Sequence, residues 1–216
     1  MASTVTPATA VFHYEQRQLE NDVVALEVFD TVDDFLTRVY NTIAPSPDHC
    51  LYAIVDKTQP RDDVEHRLAG VLSFNYTSKT NAVTEFGLMV FPTFRHSHVA
   101  ANAAGLALLF ALDPPSQGGL GLRRVTWAAN AKNEASRRFA QKMGFELEGI
   151  LRWERTFAPN RECQEGSGEN AVALAVRNGT RPEDEVQGRH TAIYSVVWDK
   201  WDAKRPNVLA QMALRK

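Results

Sequence analysis

Cysteine is scarce in this chain, with only Cys50 and Cys163 among 216 residues. That is too few for a disulfide framework, and their spacing fits no zinc motif. Both are expected as free thiols in a reducing compartment. A strong charge of either sign is also missing. The 24 Lys and Arg nearly balance the 26 Asp and Glu, for a formal net charge of −2. That balance carries no electrostatic footprint for nucleic acid or for a membrane surface, so neither partner is expected. The opening stretch MASTVTPATAVFHYEQ has neither the basic segment nor the apolar run of a secretory signal. No stretch approaches the roughly 18 consecutive apolar residues of a membrane helix. Asn178-Gly179-Thr180 has the form of a glycosylation acceptor. It is discounted because no secretory signal accompanies it. The expected location is cytoplasmic.

Hydrophobic residues make up 44% of the chain, enough for a sizeable core. The pattern predicts an N-terminal arm over 1–20, a folded domain over 21–203 and a C-terminal tail over 204–216. Strands are expected at Val23–Phe29, Leu51–Asp56, Leu68–Tyr76, Val83–Phe91, Arg124–Ala129, Phe145–Leu151 and Thr191–Trp198. Asp30 caps an expected helix carrying Phe35, Leu36, Val39 and Tyr40. A longer helix over Val99–Leu112 is apolar on most of its circumference, as in a helix buried against a sheet. Asn133 opens a short helix that stops at Gly144. Residues 158–190 form a polar, lid-like connection with a helical turn expected near Ala171–Val176. The tail's Val208, Leu209, Met212 and Leu214 are read either as a dimer contact or as packing on their own domain. The order of elements predicts an α/β (α+β) domain, with one mixed sheet and helices on both faces.

Two strand-to-helix turns stand out. At Phe94-Arg95-His96-Ser97-His98-Val99-Ala100 the chain leaves a strand and enters the long helix. The unpaired N–H groups of a first helical turn, the helix dipole and Arg95 together suit a diphosphate. An ordinary helix start capped by Ser97, with Arg95 in solvent, fits the same residues. His96 and His98 have no third ligand nearby, which argues against a metal. In the preceding strand, alternation puts Val83, Glu85, Gly87 and Met89 on one face. Gly87 points to a bulge or a close backbone approach by a ligand. Glu85 could accept a proton from an amine, or simply face solvent. At the second turn, Asn133 and Ser136 are either a capping pair or ligand contacts. As a ligand contact, the Ser136 hydroxyl could donate to a leaving thiolate.

The run Glu85-Phe86-Gly87-Leu88-Met89-Val90-Phe91-Pro92, the 95–100 loop and Leu122-Arg123-Arg124-Val125 resemble the GNAT N-acetyltransferase superfamily. Asn133-Glu134-Ala135-Ser136-Arg137-Arg138, Lys142-Met143-Gly144-Phe145 and Glu148-Gly149-Ile150-Leu151-Arg152 extend the likeness. That last block is most similar to the branch containing the ribosomal-protein alanine N-acetyltransferases. The resemblance covers roughly 20–202 and implies a GNAT-like, mostly antiparallel sheet and an acetyl-CoA cosubstrate, with no metal. It assigns the pantetheine arm to the backbone of Met89, Val90 and Phe91. It assigns the pyrophosphate to Arg95, His96, Ser97, His98, Val99 and Ala100. Asn133, Ser136 and Phe139 would serve the pantetheine and thioester. His98 stands where the family's loop has its first glycine, and Ala140 where many members carry an acidic tyrosine. Ser136 is then the implied acid and Glu85 the candidate base. A neutral primary amine would attack the thioester directly, with a backbone amide stabilising the oxyanion.

The expected acceptor is a small-molecule amine, since the 160–187 segment sets Glu162, Glu165, Glu169, Glu183, Asp184 and Glu185 against Arg161, Arg177 and Arg181. The alternatives are a protein or peptide α-amine and a CoA-binding module with little catalysis. Either a monomer or a homodimer is consistent with the sequence.

Overall fold

The computed structural model describes residues 17–28, 46–60, 67–156, 174–175 and 186–214. The helix expected after Asp30, Cys163 and most of the lid-like connection lie outside the described residues. In chain order the strands are β1 (Leu19–Glu20), β2 (Val24–Val28), β3 (Cys50–Asp56), β4 (Leu68–Ser78) and β5 (Val83–Val90). Helix α1 (His98–Leu112), β6 (Arg124–Asn130), helix α2 (Glu134–Lys142) and β7 (Glu146–Thr156) come next. The last elements are β8 (Leu174–Ala175), β9 (Val186–Val197) and helix α3 (Trp201–Ala213). No helix among the described residues is long and apolar enough to cross a membrane.

The chain divides into two compact units, residues 1–125 with 196–216, and residues 126–195. In the first unit, β1 to β5 form an antiparallel meander in sequence order. Strand β3 is nearly all apolar and buried on both sides, as expected of a strand covered on both faces. Tyr52, Leu72 and Leu88 share one face by register, as do Cys50, Phe74 and Phe86. The Phe74 ring is the hub of that face, edge-on to Tyr52, Phe86 and Phe110 at centroid distances of 5.9, 5.0 and 6.1 Å. Such pairs add stability beyond the area they bury. Helix α1 supplies Phe110 and packs against β1–β5 and α3. Its alanines are mostly buried and permit close approach.

Helix α3 replaces the expected tail at 204–216. Val208 is fully buried and Met212 fills the space beside Gly105, where a Cβ would lie 2.3 Å from the thioether sulfur. Val208 and Met212 therefore pack on their own unit, while Leu209 and Leu214 are exposed. Asp113, just past α1, locks α3 in place. It is buried, and its Oδ1 accepts from Trp201 Nε1 at 2.7 Å and Arg205 Nε at 2.9 Å, while Oδ2 accepts from Arg205 Nη2 at 3.0 Å.

In the second unit the strand order is β6-β9-β7, with β8 on β9. Both β7 and β9 run longer than the sequence pattern predicts. Arg155 pairs with Arg189 and Thr156 with Gly188, so 186–190 is strand, not loop. Leu174–Ala175 pairs with Val186–Gln187, where a helical turn was expected. Backbone pairing satisfies these polar segments without any alternation for the eye to find. Helix α2 is capped by Asn133 and ends at Gly144, whose φ of 91° is the left-handed conformation that glycine adopts freely. The α/β class and the mostly antiparallel pairing hold within both units.

Asp113→Ala should cost about 3 kcal/mol in urea unfolding, because it removes three hydrogen bonds and leaves the Trp201 donor buried. Glu134→Ala, which breaks an exposed pair with Arg138, should change stability by less than about 0.5 kcal/mol.

Candidate active site

The first turn is built by the end of β5. Phe91 donates its amide to Ala69 O at 2.8 Å, closing the pairing with β4. Pro92–Phe94 makes one 3-10 turn, and His96 then adopts a φ of 63°. Ser97 caps α1, its Oγ accepting from Val99 N at 3.2 Å and donating to Phe94 O at 2.6 Å. Arg95 and His96 are exposed, while Val99 lies in the core. The Val99 amide is thus committed to the cap. By helix geometry, the amides of His98 and Ala100 remain for an incoming anion.

His98 is the surprise of this turn. Its side chain leaves the helix mouth and meets Asp56 at the end of β3, with Nε2 3.2 Å from Oδ1. Both side chains are largely buried. Burial pushes the Asp56 carboxyl upward, but hydrogen bonds from Thr58 Oγ1 and N, at 2.7 and 2.9 Å, the charge of His98 and a contact with Gln59 outweigh it. The net effect holds Asp56 below its ordinary value.

Glu85 lies on β5 opposite Asn75, on the face expected from alternation. Gly87 beside it faces Ser73. A Cβ at Gly87 would meet Ser73 Oγ and lie 3.1 Å from Asn75 Nδ2, so a larger residue would displace these side chains. Asn75 donates to Ser73 at 3.0 Å and its Oδ1 lies 3.2 Å from His49 Nδ1. The space at Gly87 is taken by the protein's own polar row, and the register carries no bulge at that position.

In the second unit, Asn133 Oδ1 accepts from Ser136 N at 3.0 Å. Ser136 Oγ in turn accepts from Trp127 Nε1 at 3.0 Å. The Trp127 ring is held between Phe139 and Phe145, each 5.7 Å away by centroid. Arg137 ties the turn down, donating to Tyr194 Oη at 2.9 Å and to Ala131 O at 2.8 Å. A cavity of about 620 Å³ opens at this helix start, lined by Lys132, Asn133, Glu134, Arg137 and Arg138 among others. Arg138 pairs there with the Glu134 carboxylate and Arg137 is held by Tyr194 and Ala131.

The family model for the acetyltransferase (GNAT) domain matches residues 14–146. The chain belongs to the GNAT acetyltransferase family. Two solved structures place the GNAT fold beyond the matched segment. A GCN5-related N-acetyltransferase from Brucella melitensis is 21% identical, with a TM-score of 0.64 over 98% of this chain and 91% of that one. Spermidine/spermine N-acetyltransferase SpeG from Vibrio cholerae is 14% identical, with a TM-score of 0.51 over 79% of this chain and 78% of that one. No curated protein matches the chain by sequence. As a GNAT acetyltransferase the chain is an enzyme, and its family uses acetyl-CoA as cosubstrate.

The site residues expected in this GNAT domain fall into two groups. Glu85, Met89, Val90, Phe91 and Arg95 through Ala100 belong to the first unit, and Asn133, Ser136 and Phe139 to the second. Sequence reasoning missed Asp56 and Trp127. Asp56 is 42 residues before His98, and no local pattern links them. Trp127 carries a weak signal, since alternation in β6 aligns it with buried Val125 and Ala129. Among the described residues no group of three or more His, Cys, Asp or Glu could hold a metal ion.

Asp56→Asn should lower stability at neutral pH. A carboxyl held low in the folded state contributes stability above its unfolded value and loses it as pH falls through the folded one. The penalty of Asp56→Asn should therefore shrink as pH drops from about 5 toward 2. Urea unfolding of wild type and variant across that range checks it.

Proposed function

We propose that this enzyme transfers the acetyl group of acetyl-CoA to a primary amine on a small molecule. The observation that carries the cofactor half is the orientation of His98. A side chain at the family's glycine position could have closed the helix mouth, but here it is drawn onto Asp56. The turn keeps the amides of His98 and Ala100, with Arg95 exposed nearby, for a pyrophosphate. Met89, Val90 and Ala100 are assigned to the same ligand by the family resemblance, as are Asn133 and Phe139. Phe91 has its amide engaged with Ala69, so its part falls to its carbonyl or ring.

Acetyl-CoA supplies an acetyl group activated as a thioester. Glu85 takes the proton that the acceptor must lose, and the Ser136 hydroxyl hydrogen-bonds the departing sulfur. The reaction so written calls on no metal. The Asn133-x-x-Ser136 block and the residues from it to Arg152 favour the branch that holds the ribosomal-protein alanine enzymes. That block concerns the cofactor and says nothing of the acceptor. For the acceptor, the acidic composition of 160–187 and the likeness in fold to a spermidine/spermine enzyme favour a small cationic amine.

The test is release of CoA thiol from acetyl-CoA in the presence of spermidine, other small primary amines and alanine-initiated peptides. Turnover is expected with small amines first. Turnover with peptides alone would move the assignment to an α-amine acetyltransferase, and turnover with none would leave a CoA-binding module. Ser136→Ala should lower kcat on the order of 10- to 100-fold with little change in KM for acetyl-CoA. Glu85→Gln should lower kcat/KM on the order of 100-fold if the carboxylate is the base.

A further inference from the structure

Trp127 does more than pack. Its indole N–H is a pure donor and cannot accept. At 3.0 Å it occupies one lone pair of Ser136 Oγ. The Ser136 backbone amide is already given to Asn133. Among the described residues no acceptor takes the Ser136 hydroxyl proton, so that proton and the second lone pair are what the group still offers a ligand. The donor is itself immobilised. Trp127 is 6% exposed and wedged between Phe139 and Phe145. The acceptor sits on the first turn of α2, fixed by the Asn133 cap and by the Arg137 bonds to Tyr194 and Ala131.

We infer that Trp127 is the positioning residue of the acetyl transfer: its N–H turns the Ser136 hydroxyl into an oriented donor aimed at the leaving sulfur. This rests on the role proposed for Ser136. In the step concerned, the amine lone pair forms the C–N bond, the C–S bond breaks, and the electron pair departs on sulfur. The amine proton goes to Glu85. The thiolate is held by the Ser136 O–H and takes its proton from solvent after leaving. Ser136 therefore ends the step unchanged. A hydroxyl whose lone pair is already donated to by an indole is a stronger donor, because hydrogen bonds in a chain polarise one another. It also needs no rotation at the moment the sulfur charge develops.

Trp127→Phe keeps most of the ring packing and deletes only the donor. A roughly 3- to 30-fold fall in kcat is expected, with KM for acetyl-CoA within about twofold, since one neutral hydrogen bond is at stake. In a Ser136→Ala background the same change should cost almost nothing, because the group it orients is gone. Ser136→Thr, which keeps a hydroxyl, should restore the sensitivity to Trp127→Phe. A second readout needs no substrate. In the free protein, the indole N–H proton resonance of Trp127, assigned by its loss in Trp127→Phe, should move in Ser136→Ala and return toward its original position in Ser136→Thr.

Equal losses from Trp127→Phe in the wild-type and Ser136→Ala backgrounds, or an indole resonance indifferent to residue 136, would reduce Trp127 to packing. If Trp127→Phe does not fold, benzothienylalanine at 127 replaces N–H by sulfur in the same shape and decides the question by the same criteria. A slow Ser136→Ala enzyme beside a fully active Trp127→Phe enzyme would overturn this inference alone. A fully active Ser136→Ala enzyme would overturn the role of Ser136 and this inference with it.

Discussion

The burial of α1 is the constraint on which the first unit depends. A fifteen-residue helix with almost no polar circumference has to be covered, and β1–β5 and α3 cover it. Burial fixes where its N-terminus lies. The Ser97 cap, the 3-10 turn before it and the left-handed His96 are then the local means of joining β5 to a helix that cannot move. A helix start held this firmly is a preorganised patch of amide donors, which is what an anionic ligand needs. The same burial explains Asp113. It closes the far end of α1 by gripping α3, so the helix is held at both ends by side-chain hydrogen bonds.

His98 shows how a departure from a family pattern is absorbed. Glycine in a phosphate-binding turn leaves room for the ligand, and any side chain there threatens that room. Here the imidazole is pulled across to Asp56, and Thr58 holds the carboxylate that receives it. Asp56 is buried and charged, a combination that is costly unless the charge is hydrogen-bonded and paired. The imidazole is thus engaged in a buried polar cluster behind the turn.

Much of the fold was legible because hydrophobic periodicity reports burial directly. The strands at 51–56, 68–76 and 83–91 and the helix at 99–112 announced themselves by apolar content, and the cap residues Ser97 and Asn133 by their chemistry. The extensions of β7 and β9 did not, because Arg155 and Arg189 are paired through backbone groups that every residue shares. Helix α3 hid for a different reason, since Pro206 and its charged neighbours obscure the apolar stripe of Trp201, Val208 and Met212. At the candidate site the local pieces were readable: the turn, the capping asparagine and the serine three residues on. The connections between pieces were not. Asp56 reaching His98, and Trp127 reaching Ser136, are tertiary contacts with no periodicity to betray them.

We propose that the α1 turn binds acetyl-CoA with the His98 side chain turned aside onto Asp56. Calorimetric titration of the wild-type protein with acetyl-CoA tests this most directly. Saturable one-site binding that Arg95→Ala weakens is expected. Absence of binding heat at several temperatures, with the protein folded throughout, would contradict it and would mean that residue 98 closes the site.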